Sequence, residues 1–202
     1  MTEIISIANQ KGGVGKTTTA VNLSAALALD RKKVLLIDAD PQANATTSLG
    51  FHRDTYEYNI YHVMLGTKEL SEIILDSEIE NLKVAHSNIG LVGIEKEFYK
   101  NTKERELVLK RKIDTVKADY DYIIIDSPPA LGPITINTLG ASTSVLIPIQ
   151  CEFFALEGLA QLLNTIKLVK QTINKNLQIK GFLPTMYSAQ NNLSKQVFAD
   201  LA

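Results

Sequence analysis

Apolar residues in this chain come in short continuous runs rather than in alternation. Ile4 to Asn9, Val34 to Ile37, Tyr120 to Asp126 and Ser144 to Ile149 are rich in β-branched or apolar residues and read as strands, the first two and the last as buried ones. Leu82 to Ala85 reads as a short strand and Ile179 to Leu183 as another. Between them the apolar period lengthens to that of a helix. Thr18 to Leu29 is rich in Ala and Leu, and Leu156, Leu159, Leu163, Ile166, Val169 and Ile173 form one stripe. Shorter helices are expected over Ile60 to Leu65 (stopped by Gly66), Glu69 to Leu75, Leu91 to Tyr99, Arg105 to Lys117 and Ile134 to Leu139. Ala43 to Asn59 is polar and turn-rich. The last helix, from Asn192, runs to Ala202 without Gly, Asn or Pro to end it. Strands alternating with helices over short joins predict a three-layer α/β domain: a mainly parallel central sheet with helices on both faces. Residues 1–202 are expected to form this single domain, truncated at its C-terminus.

Composition narrows the class. The 202 residues are 45% hydrophobic and 21% charged, ordinary for a globular chain and enough for one core. A net charge of −1 gives no global case for nucleic acid binding, so any basic surface must be local. Cys151 is the sole cysteine, which leaves no internal disulfide and no paired cysteines for zinc or an iron–sulfur cluster. His52, His62 and His86 are scattered and are expected to be solvated or capping. The N-terminus runs directly into a strand without a signal peptide, and no 18-residue apolar run suits a transmembrane segment. A cytoplasmic location is the expectation.

The chemistry gathers at strand ends. After the first strand comes Gln10-Lys11-Gly12-Gly13-Val14-Gly15-Lys16-Thr17-Thr18, followed by a helix. Glycines let the backbone curl until successive N–H groups point inward, and the helix adds its positive end, where phosphate is favoured. Lys16 supplies a mobile charge for the outer phosphates, and the Thr17 hydroxyl suits Mg²⁺. Gln10 stands where the strict P-loop has glycine, so the pattern is the deviant Walker A box with a second lysine, Lys11. A glycine-rich turn with two solvated lysines is the plain alternative, and the strand-loop-helix context argues against it. The second strand ends in Asp38-Ala39-Asp40-Pro41, carboxylates where α/β sheets bind ligands; capping or a solvated turn is the alternative. Tyr122 to Asp126 is an apolar strand ending in Asp, the Walker B form, followed by the rigid Ser127-Pro128-Pro129. The basic residues of the 105–117 helix, with Lys103 beside them, are interleaved with acids and read as a solvated face, a partner or DNA surface being the alternative.

KGGVGKTT, LLIDADPQ, IIIDSPP and the loop QCEFFALEGL, with DPQANATTSLG and PPALGPITIN around them, resemble the ParA/Soj family of DNA-segregation ATPases over essentially the whole chain. That resemblance implies a weak Mg²⁺-dependent ATPase that forms a homodimer around two ATP molecules, binds DNA nonspecifically in that state on the nucleoid, and is stimulated by a ParB-type protein. It implies that Lys16 binds the β- and γ-phosphates within the cofactor loop Lys11 to Thr18, which includes Gly12, Gly13, Val14 and Gly15. It implies that Lys11 reaches the partner subunit's phosphates, that Gly12 permits close approach there, and that Asp40 positions the attacking water, so that Lys11, Lys16 and Asp40 are the catalytic set. It further implies that Thr17 binds Mg²⁺ and that Asp38 and Asp126 hold its water shell. Two departures stand out. Gln190, in Thr185-Met186-Tyr187-Ser188-Ala189-Gln190, occupies the position of a family arginine used for DNA contact. The family chain also continues beyond Ala202, adding adenine contacts, a strand and basic residues; Lys170, Lys175 and Lys195 are the local candidates for DNA. The other readings are a MinD-like membrane-cycling regulator, which needs a C-terminal amphipathic helix, a small-molecule ligase on the same fold, and a nucleotide-dependent binding switch with negligible turnover.

Overall fold

The computed structural model describes residues 2–52, 54–100, 105–152 and 155–201. The runs expected as strands pair into one sheet, and a further strand joins them at its edge. In chain order the elements are β1 (Glu3–Ile7), α1 (Lys16–Leu29), β2 (Val34–Asp38), α2 (Asn44–Ser48), α3 (Ile60–Leu65), β3 (Ile74–Asp76), β4 (Leu82–Ala85), α4 (Gly93–Lys100), α5 (Val108–Asp114), β5 (Tyr122–Asp126), α6 (Pro133–Ala141), β6 (Ser144–Gln150), α7 (Ala155–Thr172), β7 (Gln178–Thr185) and α8 (Asn192–Leu201). The spatial order is β3-β4-β2-β5-β1-β6-β7, parallel throughout except for β3 against β4.

The continuous apolar runs are explained by two covered faces. Val34 and Leu36 of β2, Ile5 and Ile7 of β1 and Ile124 of β5 pack with Ala20 and Ala28 of α1 and Ala45 of α2. The intervening residues Leu35, Ile37, Ile123 and Ile125 pack on the other face with α3, α4, α5 and α6. At the β6 end of the sheet Val145, Ile147 and Ile149 pack against Leu162, Ile166 and Val169 of α7.

Local departures from the expected elements have identifiable causes. The segment Glu69 to Leu75 is not a helix: a 3-10 turn at Leu70–Glu72 buries Leu70 and leads into β3, whose Asp76 pairs with Lys83 of β4 at 2.9 Å. The helix expected over Arg105 to Lys117 is broken into 3-10 turns at Arg105–Leu107 and Lys117–Asp119 around α5. Asn137 of α6 accepts the Leu109 N–H at 3.2 Å and so caps the start of α5 from outside. Lys110 and Lys117 pair with Asp114, and Lys112 with Glu69, in keeping with a solvated face; Lys103 lies outside the described residues. Within the polar stretch after β2, α2 forms where no helix was expected. His62 closes the capping box of α3 with Asn59, as expected of a capping histidine. His86 is instead buried, with Nδ1 3.1 Å from the Ile73 carbonyl oxygen and its ring against Tyr56.

Candidate nucleotide site at the strand ends

After β1 the chain crosses the C-terminal edge of the sheet and is pinned there. Asn9, almost wholly buried, donates through Nδ2 to the Pro148 carbonyl at 2.7 Å and accepts the Lys11 N–H at 3.0 Å. The loop between Lys11 and Lys16 then needs left-handed backbone at Gly13 (φ 74°) and Gly15 (φ 87°), which only glycine supplies without strain. Gly15 is the N-cap of α1, so the helix begins at Lys16, ahead of the apolar pattern. The Val14 side chain is buried, leaving its backbone to the loop, and the Thr185 hydroxyl at the end of β7 donates to its carbonyl at 2.9 Å.

Lys16 is 7% exposed, and its Nζ arches back to donate to the Lys11 carbonyl at 3.0 Å. Burial lowers its pKa, while the charges of Asp126 and then Asp40 pull it upward. Gly12, Gly13, Gly15, Lys16, Thr17 and Thr18 line a cavity of about 380 Å³ together with Asp40, Gln42 and Met186. A larger cleft of about 610 Å³, between Lys33, Asp76 and Tyr120, lies at the other end of the strands, away from these groups.

The two strand-end carboxylates meet through register. β2 and β5 are neighbours, and Asp38 stands directly opposite Asp126. Both continue the side-chain row of Leu36 and Ile124, the face covered by α1. Both are completely buried, yet they are held differently. Asp38 accepts the Thr46 N–H (2.8 Å) and hydroxyl (2.7 Å) on Oδ2 and the Asp40 N–H (3.1 Å) on Oδ1. Neither Asp126 oxygen has a hydrogen-bond partner. Burial, foremost, and the charge of Asp38 push the Asp126 carboxyl up to about 8; the Thr17 hydroxyl nearby favours the charged form without closing a bond of ordinary geometry. Burial likewise raises Asp38, to about 6, against the hydrogen bonds from Thr46 and Asp40. Asp40, mostly buried at the cavity wall, accepts the Gln42 N–H at 2.9 Å. Ser127, after β5, is fixed by a buried hydroxyl cluster with Ser6 (2.8 Å) and Thr138 (2.9 Å).

Lys16, Thr17 and Asp40 therefore line one cavity together with Gly12, Gly13, Gly15 and Thr18, whereas Asp38 and Asp126 are completely buried outside its lining, Asp126 near Thr17 and Lys16. Lys11 is turned away from that group: its Nζ pairs with Glu152 after β6 at 2.6 Å, both side chains partly exposed. Phe153 and Phe154, in the same loop motif, lie outside the described residues. Glu152, Thr46 and Thr185 are contacts that sequence reasoning did not assign. Thr46 sits in a stretch read only as turn-rich, and the one signal for it is a hydroxyl residue eight positions after a strand-end aspartate.

A glycine loop between a central parallel strand and a helix, with aspartates at the ends of the neighbouring strands, is the arrangement of P-loop NTPases of the deviant Walker type. Comparison with known proteins narrows it. Residues 2–179 match the AAA domain family. The chain is 51% identical over 201 residues to the sporulation initiation inhibitor protein Soj of Bacillus subtilis, spanning 100% of this chain and 79% of that one. It is 46% identical over 198 residues to the chromosome partitioning protein ParA of Myxococcus xanthus, spanning 98% and 70%. Among solved structures it superposes with a TM-score of 0.94, at 40% identity over 99% of this chain and 81% of the other, on a Mycobacterium smegmatis protein crystallised as cobyrinic acid a,c-diamide synthase with ADP and magnesium bound. The chain belongs to the Soj/ParA family of partitioning ATPases.

Proposed function

We propose that this chain binds Mg²⁺–ATP in the cavity under the glycine loop, hydrolyses it slowly to ADP and phosphate, and uses the nucleotide to switch between a monomer and an ATP-sandwich homodimer. In that reading the dimer binds DNA nonspecifically on the nucleoid and works with a ParB-type protein in chromosome or plasmid segregation. The observation that carries the nucleotide reading is the Asp126 carboxylate: buried, without a partner on either oxygen, at the head of α1 beside Thr17 and Lys16. Lys16 opposes the charge of Asp126 only as a small influence beside burial and Asp38, so the buried carboxylate remains costly, and a hard divalent cation that takes one or two carboxylates together with phosphates relieves it. Oxygen donors of this kind fit Mg²⁺, which when bound neutralises charge between the β- and γ-phosphates.

The roles follow from placement. Lys16 leaves the Lys11 carbonyl to hold the outer phosphates, with the loop N–H groups and the start of α1 completing the cradle. Thr17 and Asp126 would hold the metal when it is bound, with Asp38 adding negative charge from the next strand. Asp40, at the cavity wall, orients the attacking water. Lys11 is kept by an exposed ion pair with Glu152, of a type that contributes about 0–1 kcal/mol, so it is readily released to a phosphate of the second subunit; Gly12 allows the approach. DNA contact falls to local lysines. Lys170, near the end of α7, Lys175 just after it, Gln190, and Lys195 on α8 are all exposed.

The name of the Mycobacterium smegmatis neighbour raises a ligase reading, which needs room for a second substrate beside Asp40. The groove there, between Val92, Glu95, Pro129 and Ile134, is about 240 Å³, under the roughly 300–1,000 Å³ of small-ligand pockets. The test is ATP turnover with Mg²⁺, alone and with DNA and a ParB-derived peptide, beside a sedimentation measurement of dimer formation with ATP and ADP. Stimulated turnover with an ATP-dependent dimer is expected. Tight ATP binding and dimerisation without turnover under any condition would favour the binding switch, and absence of nucleotide binding would overturn the reading.

A further inference from the structure

We infer that Thr46 is a positioning residue for hydrolysis, acting through Asp38 to hold the segment that carries Asp40. This rests on the ATPase reading of the same site. Asp38 is the hub of a closed ring of chain. Its Oδ1 accepts the N–H of Asp40, and its Oδ2 accepts both the N–H and the hydroxyl of Thr46, eight residues on. The carboxylate thus uses three of its about four acceptor positions on protein donors, and the chain from Asp40 to Thr46 is drawn around it. Thr46 is itself held from a different strand: its Oγ1 accepts the Ser87 N–H at 3.0 Å, just beyond the end of β4. The path Ser87 N–H to Thr46 O–H to Asp38 is entirely buried. It fixes the start of α2 against the ends of β2 and β4.

The ring presents Asp40 to the cavity. Ala43, at its tip, takes a left-handed conformation (φ 54°) that costs a non-glycine residue energy, and the Asp38 anchors at both ends hold that turn in place. Asp40 in turn accepts the Gln42 N–H inside the ring. Asp126, by contrast, offers both oxygens unpartnered. The two facing aspartates are thereby assigned different work: Asp126 toward the cation, Asp38 toward the loop that aims Asp40. Thr46 sets this division, because only a residue donating twice to one oxygen and accepting once can close the ring on Asp38 and tie it to β4.

Thr46→Val removes the hydroxyl at nearly constant volume, and Thr46→Ser retains it. Thr46→Val should lower kcat about ten- to hundredfold, as misplacement of a reacting group by about an ångström does, with ATP affinity and the KM for Mg²⁺–ATP at parent values, since the glycine loop is untouched. Thr46→Ser should restore most of the rate. A second readout does not depend on turnover: amide hydrogen exchange in the nucleotide-free chain should accelerate over residues 39–47 in Thr46→Val, with residues 10–18 unchanged and Thr46→Ser like the parent. Should Thr46→Val not fold, Thr46→Ala takes its place in both measurements. Parent-like kcat and parent-like exchange in the hydroxyl-less variant would overturn the assignment, as would a serine variant equally defective. Absence of turnover in the parent chain, with DNA and ParB-derived peptide present, would count against the ATPase reading alone, because the exchange measurement still decides whether Thr46 holds the loop.

Discussion

Asp126→Asn should make the nucleotide-free protein more stable at alkaline pH while removing its use for Mg²⁺. In the folded chain the Asp126 carboxyl is raised from 3.8 to about 8, chiefly by burial and then by the charge of Asp38. A carboxyl raised in this way keeps its proton in the folded state where the unfolded chain has already lost it. Its stabilising contribution is full below about pH 4 and is lost as pH rises toward 8. From pH 5 to pH 8 the pKa gap spans about three units, each about 1.4 kcal/mol, giving a ceiling of about 4 kcal/mol. Asp38, raised to about 6 for the same reason, shares the titration, so roughly 2–3 kcal/mol is the expected size. In a chain of 202 residues this corresponds to roughly 4–12 °C in Tm.

The assay is thermal unfolding of parent and Asp126→Asn with a metal chelator present, from pH 5 to pH 9. The asparagine is neutral and nearly isosteric, so the pH-dependent penalty disappears with the carboxyl. The stability difference between the variant and the parent should grow in the variant's favour from pH 5 to pH 8 and level off above it. Mg²⁺ with nucleotide should then reverse the order at pH 8, stabilising the parent much more than the variant. A difference that stays constant across this range would show that Asp126 is not a strained buried acid, and the metal argument built on it would fail.

Other outcomes rest on the same geometry. Lys16→Ala should weaken ATP binding by the roughly 1.5–3 kcal/mol of a hydrogen bond to a charged group, about ten- to a hundredfold in Kd by calorimetry; unchanged affinity would remove the lysine from the phosphate site. Asp40→Ala should bind ATP like the parent, stop turnover and accumulate the ATP-bound dimer in sedimentation, whereas parent-rate hydrolysis would make Asp40 structural. Replacing Lys170, Lys175 and Lys195 together by Ala should flatten the salt dependence of DNA binding in an ATP-loaded titration, because each lost phosphate contact lowers the slope by about one; an unchanged slope would place the basic surface elsewhere.

How far the sequence showed all this depends on the distance along the chain over which each contact is made. The central parallel strands were legible because both of their faces are covered, which writes them as unbroken β-branched runs such as Val34 to Ile37 and Ile123 to Ile125. β3 was not, since three residues carry no period and the strand is defined only by its pairing with β4. Glu69 to Leu75 has a helical period only while its neighbours are ignored. The glycine loop was legible for the opposite reason: Gly13, Gly15, Lys16 and Thr17 act within a few residues of one another, so spacing alone carries their geometry.

The remainder of the site is made across the fold. Lys11 meets Glu152 across 141 residues, and Val14 meets Thr185 across 171. Asp38 and Asp126 face each other only because β5 inserts between β2 and β1, a strand order that no local pattern specifies. From sequence the two aspartates look alike, each ending an apolar strand, and the family resemblance gives them one shared role. In the fold they are chemically distinct. Asp38 has donors on both oxygens, supplied by the turn and short helix directly after it, whereas the chain after Asp126 leaves as the extended Ser127-Pro128-Pro129 and returns none. Proline, which has no N–H, cannot give back the donation that Thr46 gives. The asymmetry that leaves the Asp126 oxygens without donors is therefore set by the residues that follow each strand: a returning threonine after β2 and two consecutive prolines after β5.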